Sequence, residues 1–177
     1  MKSAIRHFRY SFTLRPFRLS DAHDLVRHIN DPVIARNTAH IPYPYRQRDA
    51  LQFLRRQIIH RRNKPATDVT FAIIIDGSVV GGLGLHHIEQ RHQAELGYWL
   101  SRQYRGRGIM TRAVREALRY GFVRLHLRRI YAYTYTYNPA SARVLEKNGF
   151  VREGVLRKHA KKNGRLIDDI LYAKVRV

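Results

Sequence analysis

Two short segments of the chain combine residue types that can hold a charged ligand and work on it. The first is Gln103-Tyr104-Arg105-Gly106-Arg107-Gly108-Ile109, lying between an alternating apolar stretch and a long amphipathic one. Glycines let backbone N–H groups approach a ligand with no Cβ in the way. A helix start adds unpaired donors and the positive end of the helix dipole. A pyrophosphate suits that combination, with Arg105 and Arg107 adding charge. The segment lacks the third glycine and the later acidic residue of the dinucleotide fingerprint, and no Gly-Lys-Ser/Thr follows as in a P-loop. A plain strand-to-helix turn would use the same two glycines. The second segment is Asn138-Pro139-Ala140-Ser141-Ala142-Arg143, running on through Leu145 and Lys147 to Asn148-Gly149-Phe150. Asn138 followed by proline is an N-cap signal, and Gly149 is a left-handed helix stop. Capping and ligand binding are compatible, because ligands are often held at helix starts.

The elements that must position these residues follow from periodicity. Phe12 to Leu19 reads as a strand, and Ser20 and Asp21 as the cap and acidic first turn of a helix carrying Ala22, Leu25, Val26 and Ile29. Residues 37–46 read as a loop. A second helix turns Ala50, Leu51, Leu54 and Ile58 inward and Arg55, Arg56, Arg61 and Arg62 outward. Val69–Ile75 and Ser78–His87 form a hairpin through Asp76-Gly77. Ala94–Ser101 is the next strand. The strongest helix follows, with Met110, Ala113, Val114, Ala117, Leu118, Phe122 and Leu125 on one face. Arg129–Tyr137 is a strand, Asn138 opens a short helix, and Phe150–His159 pairs with Leu166–Val177 through Asn163-Gly164. Helices mixed with a mostly antiparallel sheet make the class α+β.

Composition bounds the rest. The chain has 177 residues, long enough for one domain with a sizeable core, with residues 1–11 as a loose basic extension. There are no cysteines, which excludes disulfides, thiolate metal sites and a cysteine nucleophile. No apolar run reaches the roughly 18 residues of a membrane helix, and the N-terminus lacks the apolar stretch of a signal peptide. A cytoplasmic protein without membrane contact is therefore expected. The ten histidines show no metal-ligand spacing, so no metal is expected. Lys and Arg number 34 against 13 acids, a net charge of +21, and 27 of the 34 are Arg. Such a field favours anionic partners and disfavours polycationic substrates, although arginine-rich codon usage would produce it too. Tyr131, Tyr133, Tyr135 and Tyr137 alternate along one strand. They are read as a face packed on a helix, or else as a platform for stacking bases.

Taken together, Gln-x-x-Gly-x-Gly opening a helix and Asn-x-x-Ser-x7-Gly-Phe some thirty residues on resemble the GNAT family of acetyl-CoA-dependent N-acetyltransferases. Leu14-Arg15-Pro16-Phe17 with Asp21, Asn30-Asp31-Pro32, Gly97-Tyr98-Trp99-Leu100, Gly154 and Gly164-x3-Asp168-x3-Tyr172 resemble its RimJ/RimL-like branch, so the likeness spans almost the whole chain. It implies a GNAT fold, with about seven strands, about four helices and a splay between strands four and five. It implies acetyl-CoA held by the backbone of Trp99 and Leu100, with one N–H near Leu100 polarising the thioester carbonyl. The pyrophosphate would sit on the amides from Arg105 to Ile109, beside Gln103. Asn138 would bond the pantetheine amides, Ser141 would lie near the sulfur, and Arg143 and Lys147 would reach the phosphoadenosine end. Many family members protonate the leaving thiolate with a tyrosine that Leu145 replaces here, which makes Ser141 the nearest hydroxyl. Glu95 is the candidate base. Glu89 and Asp168 are alternatives, and a surface glutamate paired with arginine is the plain reading. The implied acceptor is a primary amine, by preference a protein N-terminus on a ribosomal or otherwise anionic partner, with the enzyme a monomer or homodimer. The alternatives are a small amine or antibiotic, or a non-catalytic basic module that binds RNA or the ribosome.

Overall fold

The computed structural model describes residues 11–62 and 65–176. The basic extension read from the sequence lies outside them except for its last residue, as do the side chains of Arg61 and Arg62. Seven strands form one sheet in the order β1-β2-β3-β4-β5-β7-β6. They are β1 (Thr13–Arg15), β2 (Val69–Ile75), β3 (Ser78–His86), β4 (Gln93–Leu100), β5 (Arg129–Tyr135), β6 (Val151–Lys162) and β7 (Arg165–Val175). Every neighbouring pair is antiparallel except β4 and β5. Five α-helices accompany them: α1 (Ala22–Ile29), α2 (Pro32–Asn37), α3 (Gln47–Arg62), α4 (Ile109–Arg119) and α5 (Pro139–Glu146).

The helices take opposite faces. Leu25 and Ile29 of α1 and Ala50 and Leu54 of α3 pack with Phe17, Ala72, Val79 and Trp99 on one side. Met110, Ala113, Val114 and Ala117 of α4 and Leu145 of α5 pack with Leu85, Leu96, Ile130 and Ala132 on the other. Even-numbered residues of β4 and β5 therefore point toward α4 and α5, and odd-numbered ones point away.

Three elements depart from the sequence expectation. β1 stops at Arg15, because Pro16 brings no N–H to the ladder. α2 was not expected, although Asp31 caps it, its Oδ1 accepting from Val33 N at 2.8 Å, with Pro32 in the first turn. The long helix ends as α at Arg119 and widens into a π-turn over Tyr120–Arg124. Gly121 lies there against the sheet, where an added Cβ would come within 2.7 Å of Ile130 Cδ1. That close approach is the reason the last turn loosens.

Asp21, expected in the first turn of α1 behind a Ser20 cap, instead takes the N-cap position, with no side-chain bond to the helix. Its carboxylate turns back to Arg15, at 2.7 and 2.9 Å, and accepts from Arg18 N at 2.8 Å, while only 4% exposed. It ties the end of β1 to the start of α1. Asp21→Asn is expected to lower stability by about 1.5 kcal/mol, read from the denaturant midpoint, because buried donors lose a charged acceptor.

Candidate active site

β4 and β5 pair only at Gln93↔Arg129, Ala94↔Ile130 and Glu95↔Tyr131, although each strand runs on for several residues. Beyond that rung they part. Ser101 N donates to Val80 O of β3 at 2.9 Å. By strand alternation Gly97 and Trp99 then also turn their backbone groups toward β3, while Tyr98 and Leu100 turn theirs into the gap. Trp99, expected to offer its backbone to the arm, thus turns it toward β3, and Tyr98 faces the gap in its place; the indole packs with Phe17 on the far face. Arg105 Nε donates to the Leu100 carbonyl at 3.0 Å. The amides of Tyr98 and Leu100 and the Tyr98 carbonyl line the wall of the gap.

The turn that follows has Gly106 at φ 74° and Gly108 at φ 70°, both left-handed, with Gly108 as the N-cap of α4. A Cβ built on either would meet nothing within 4 Å. Both glycines face open space, and the first N–H groups of α4 lie behind them. Gln103 and Arg107 are exposed beside them. Arg105 behaves differently from expectation. Its amide donates to Arg102 O at 3.3 Å and its guanidinium to Asp31 Oδ2 at 2.9 Å. Asp31 neutralises that guanidinium, which ties the turn to the start of α2, so the amides left for an anion are those from Gly106 to Ile109.

α5 begins across the gap. Asn138 Oδ1 accepts from Ser141 N at 3.3 Å, as an N-cap should. Ser141 Oγ lies 2.8 Å from the Tyr98 hydroxyl, which also donates to the Ser141 carbonyl at 3.2 Å. Burial pushes the Tyr98 phenol well above its ordinary pKa, so it stays neutral. Leu145 is fully buried in the core, and that position supplies no hydroxyl. Arg143 is exposed. Lys147 lines a hollow of about 330 Å³ with Arg115, Asn148 and Lys174 at the opposite end of α5 from Ser141.

On the other face of the gap stand Glu95 and the tyrosines of β5. Tyr131 and Tyr133 meet edge to face at 5.6 Å, Tyr135 and Tyr137 lie tilted at 34° with ring centres 5.2 Å apart, and the Arg36 guanidinium lies 4.8 Å above Tyr137. Tyr135 is buried, but the other three stay half-exposed, so this stripe is a floor open to the gap rather than the helix-covered face expected. Glu95, paired with His87 Nδ1 at 3.3 Å, is the neighbour whose charge raises the pKa of Tyr131 and Tyr133 after burial itself. Glu89 is exposed and engaged by Gln93 and His92, which hold its pKa below the usual carboxylate value. Asp168 Oδ1 accepts from Lys158 N at 2.7 Å, a structural use. No group of three or more candidate ligands among the described residues could hold a metal ion.

Residues 11–151 match the acetyltransferase (GNAT) domain family. The chain belongs to the GNAT acetyltransferase family. It is 32% identical over 166 residues to the uncharacterized N-acetyltransferase p20 of Bacillus licheniformis, covering 91% of this chain and 90% of that one. The ribosomal-protein-S5-alanine acetyltransferase of Vibrio fischeri superposes with a TM-score of 0.82 at 26% identity, over 93% and 92% of the two chains. Mycobacterium smegmatis RimJ, in complex with a CoA disulfide, does so with a TM-score of 0.82 at 27% identity, over 93% and 81%.

This GNAT enzyme is an acetyl-CoA-dependent N-acetyltransferase of RimJ/RimL-like type. The chain's own geometry fits that cofactor. An unpaired strand edge can bond the amides of an extended arm, and the glycine turn leaves bare the space a pyrophosphate needs. When bound, acetyl-CoA supplies the acetyl group as a thioester. No described helix is long and apolar enough to cross a membrane.

Proposed function

We propose that the enzyme acetylates the N-terminal α-amine of a protein with an anionic surface, ribosomal proteins being the leading class. The observation that carries this is a contrast of charge. The tyrosine floor holds a few carboxylates, Glu95 and Asp169 among them, in a chain whose net charge is +21. Such a site attracts a single ammonium while its surroundings repel a polycation and attract an acidic body. An α-amine, with a pKa of about 8, also gives up its proton far more readily than an ε-amine at about 10.4. The likeness to a ribosomal-protein-S5-alanine acetyltransferase points the same way.

In this reading the amides of Gly106 to Ile109 hold the pyrophosphate, with Gln103 and Arg107 beside them. The Tyr98 and Leu100 backbones hold the arm with the Asn138 side chain, and one of those N–H groups polarises the thioester carbonyl. Ser141, oriented by Tyr98, stands nearest the departing sulfur. Arg143, exposed on α5, would reach toward the phosphoadenosine end, whereas Lys147 sits at the far end of α5 beside Arg115 and Lys174 and is set aside from that role. Glu95, expected from the sequence to be the base, draws the acceptor ammonium onto the floor from three residues below Tyr98 on the same strand.

Turnover against N-terminal peptides, polyamines and aminoglycosides, each over a salt series, tests the proposal. Acidic proteins or peptides with a free N-terminus are expected to be the best acceptors. Their KM should climb steeply with salt while kcat holds, because screening lengths fall to about 8 Å at physiological ionic strength. If salt improves acceptor use, the substrate is a small cationic amine instead.

A further inference from the structure

We propose that His159, held by Asp169, is the general base that takes the proton from the acceptor amine. The inference rests on the amine entering over the β5 tyrosines. His159 Nδ1 lies 2.8 Å from Asp169 Oδ2. Asp169 is 3% exposed, and its Oδ1 is buried without a hydrogen-bond partner among the described residues. A buried carboxylate against Nδ1 fixes the Nδ1–H tautomer, leaving the Nε2 lone pair to accept a proton, and it stabilises the imidazolium that results. The imidazole itself is 44% exposed, so an incoming amine can reach it.

Its placement is built. Leu156 pairs with Asp169 and Ala160 with Ile167, so three residues of β6, Arg157 to His159, stand opposite the single Asp168. Lys158 takes φ 53° within this bulge, and its N–H is pinned by Asp168 Oδ1. Bulges re-aim side chains, and this one carries the imidazole across β7 to lie 4.8 Å from the Tyr133 ring. Asp169 pairs with Tyr135 and so shares the face of the tyrosine floor. Height along the sheet also matters. Glu95 is level with Tyr131. Continuing that register puts Tyr133 level with Gly97, about 7 Å farther along and beside the Tyr98 amide that faces the gap. His159 thus stands by Tyr133 at the level of the Tyr98 amide, which would hold the thioester end of the arm, and Glu95 stands below that level.

The proton balance is simple. The ammonium gives one proton to Nε2, and the neutral nitrogen bonds the acetyl carbon as the carbon–sulfur bond breaks. CoA leaves as the thiolate, and the second amine proton goes to it or to water. The groups facing the imidazole are Asp169 and Asp168 from β7, Tyr133 and Tyr135 from β5, and Lys158 on its own strand.

The test compares pH–rate profiles of the wild type, His159→Gln, Asp169→Asn and Glu95→Gln, and follows the His159 ring nitrogens by NMR in the free enzyme. His159→Gln is expected to lower kcat about 10²-fold near neutrality, the loss shrinking as pH passes the amine's own pKa of about 8, with acetyl-CoA binding unchanged. Asp169→Asn should cost about tenfold and abolish the single Nδ1–H tautomer expected of the wild type. A pH-independent loss, an unchanged profile in His159→Gln, or a tautomer indifferent to Asp169→Asn overturns the proposal. Should no N-terminal acceptor be turned over, the function proposed above fails by itself. Binding of an acidic peptide with a free N-terminus then decides for the imidazole, by shifting the His159 Nε2 resonance or leaving it still.

Discussion

Replacing Gly108 with valine is expected to cut acetyl-CoA affinity by tenfold to a hundredfold, measured by calorimetry on the folded variant. Two effects combine. Gly108 sits at φ 70°, where a β-branched residue is strained, so the turn shifts or carries a cost of about 1–2 kcal/mol. Its Cβ would also project into space that no protein atom within 4 Å occupies, the space a pyrophosphate needs to reach the α4 amides. Each tenfold in affinity corresponds to about 1.4 kcal/mol, so either effect alone is visible. The open surroundings mean that the variant should keep its fold, which separates loss of binding from loss of structure. Wild-type affinity in a folded Gly108→Val protein would remove this turn from the cofactor site.

The second large effect is expected at Glu95. Glu95→Gln should raise KM for the acceptor about tenfold and leave kcat and acetyl-CoA affinity nearly unchanged. A carboxylate about 4 Å from an ammonium contributes several kcal/mol at an effective dielectric near 20, and partial exposure screens much of this. The side chain is 29% exposed and its local partner is His87. Removing its charge weakens the pull on the ammonium without removing the proposed proton acceptor. If kcat falls instead, and the loss shrinks at high pH, Glu95 is the base, as the sequence reading named it, and His159 is not.

The glycine turn was legible because its signals are local. Gly106 and Gly108 take left-handed angles that other residues avoid, and they stand directly before a helix whose apolar period is plain from Met110 to Leu118. Asn138-Pro139 and Asn163-Gly164 are equally local, and both stand where they were expected. α2 could have been read from Asp31-Pro32, whose cap and first-turn proline match the other helix start. Tyr98 was harder. Its residue type is visible, but nothing near it in the chain says that its hydroxyl meets Ser141, 43 residues away.

What the sequence determined by itself is a set of local features: a left-handed glycine turn before a helix, a second capped helix and a cationic composition. Each depends on residues within a few positions of one another, so local backbone preference is enough to write it. Only the tertiary structure decided which groups face the gap. Tyr98 rather than Trp99 lines it because β3 hydrogen-bonds the odd-numbered residues of β4. The charge of Arg105 is spent on Asp31, 74 positions away, and not on a phosphate. His159 reaches the tyrosine floor because a bulge pinned by Asp168 carries it across a strand, with Asp169 behind it. Strand parity, ion pairing at long range and the re-aiming of one ring are set by partners distant in the chain, and composition and periodicity carry no record of them.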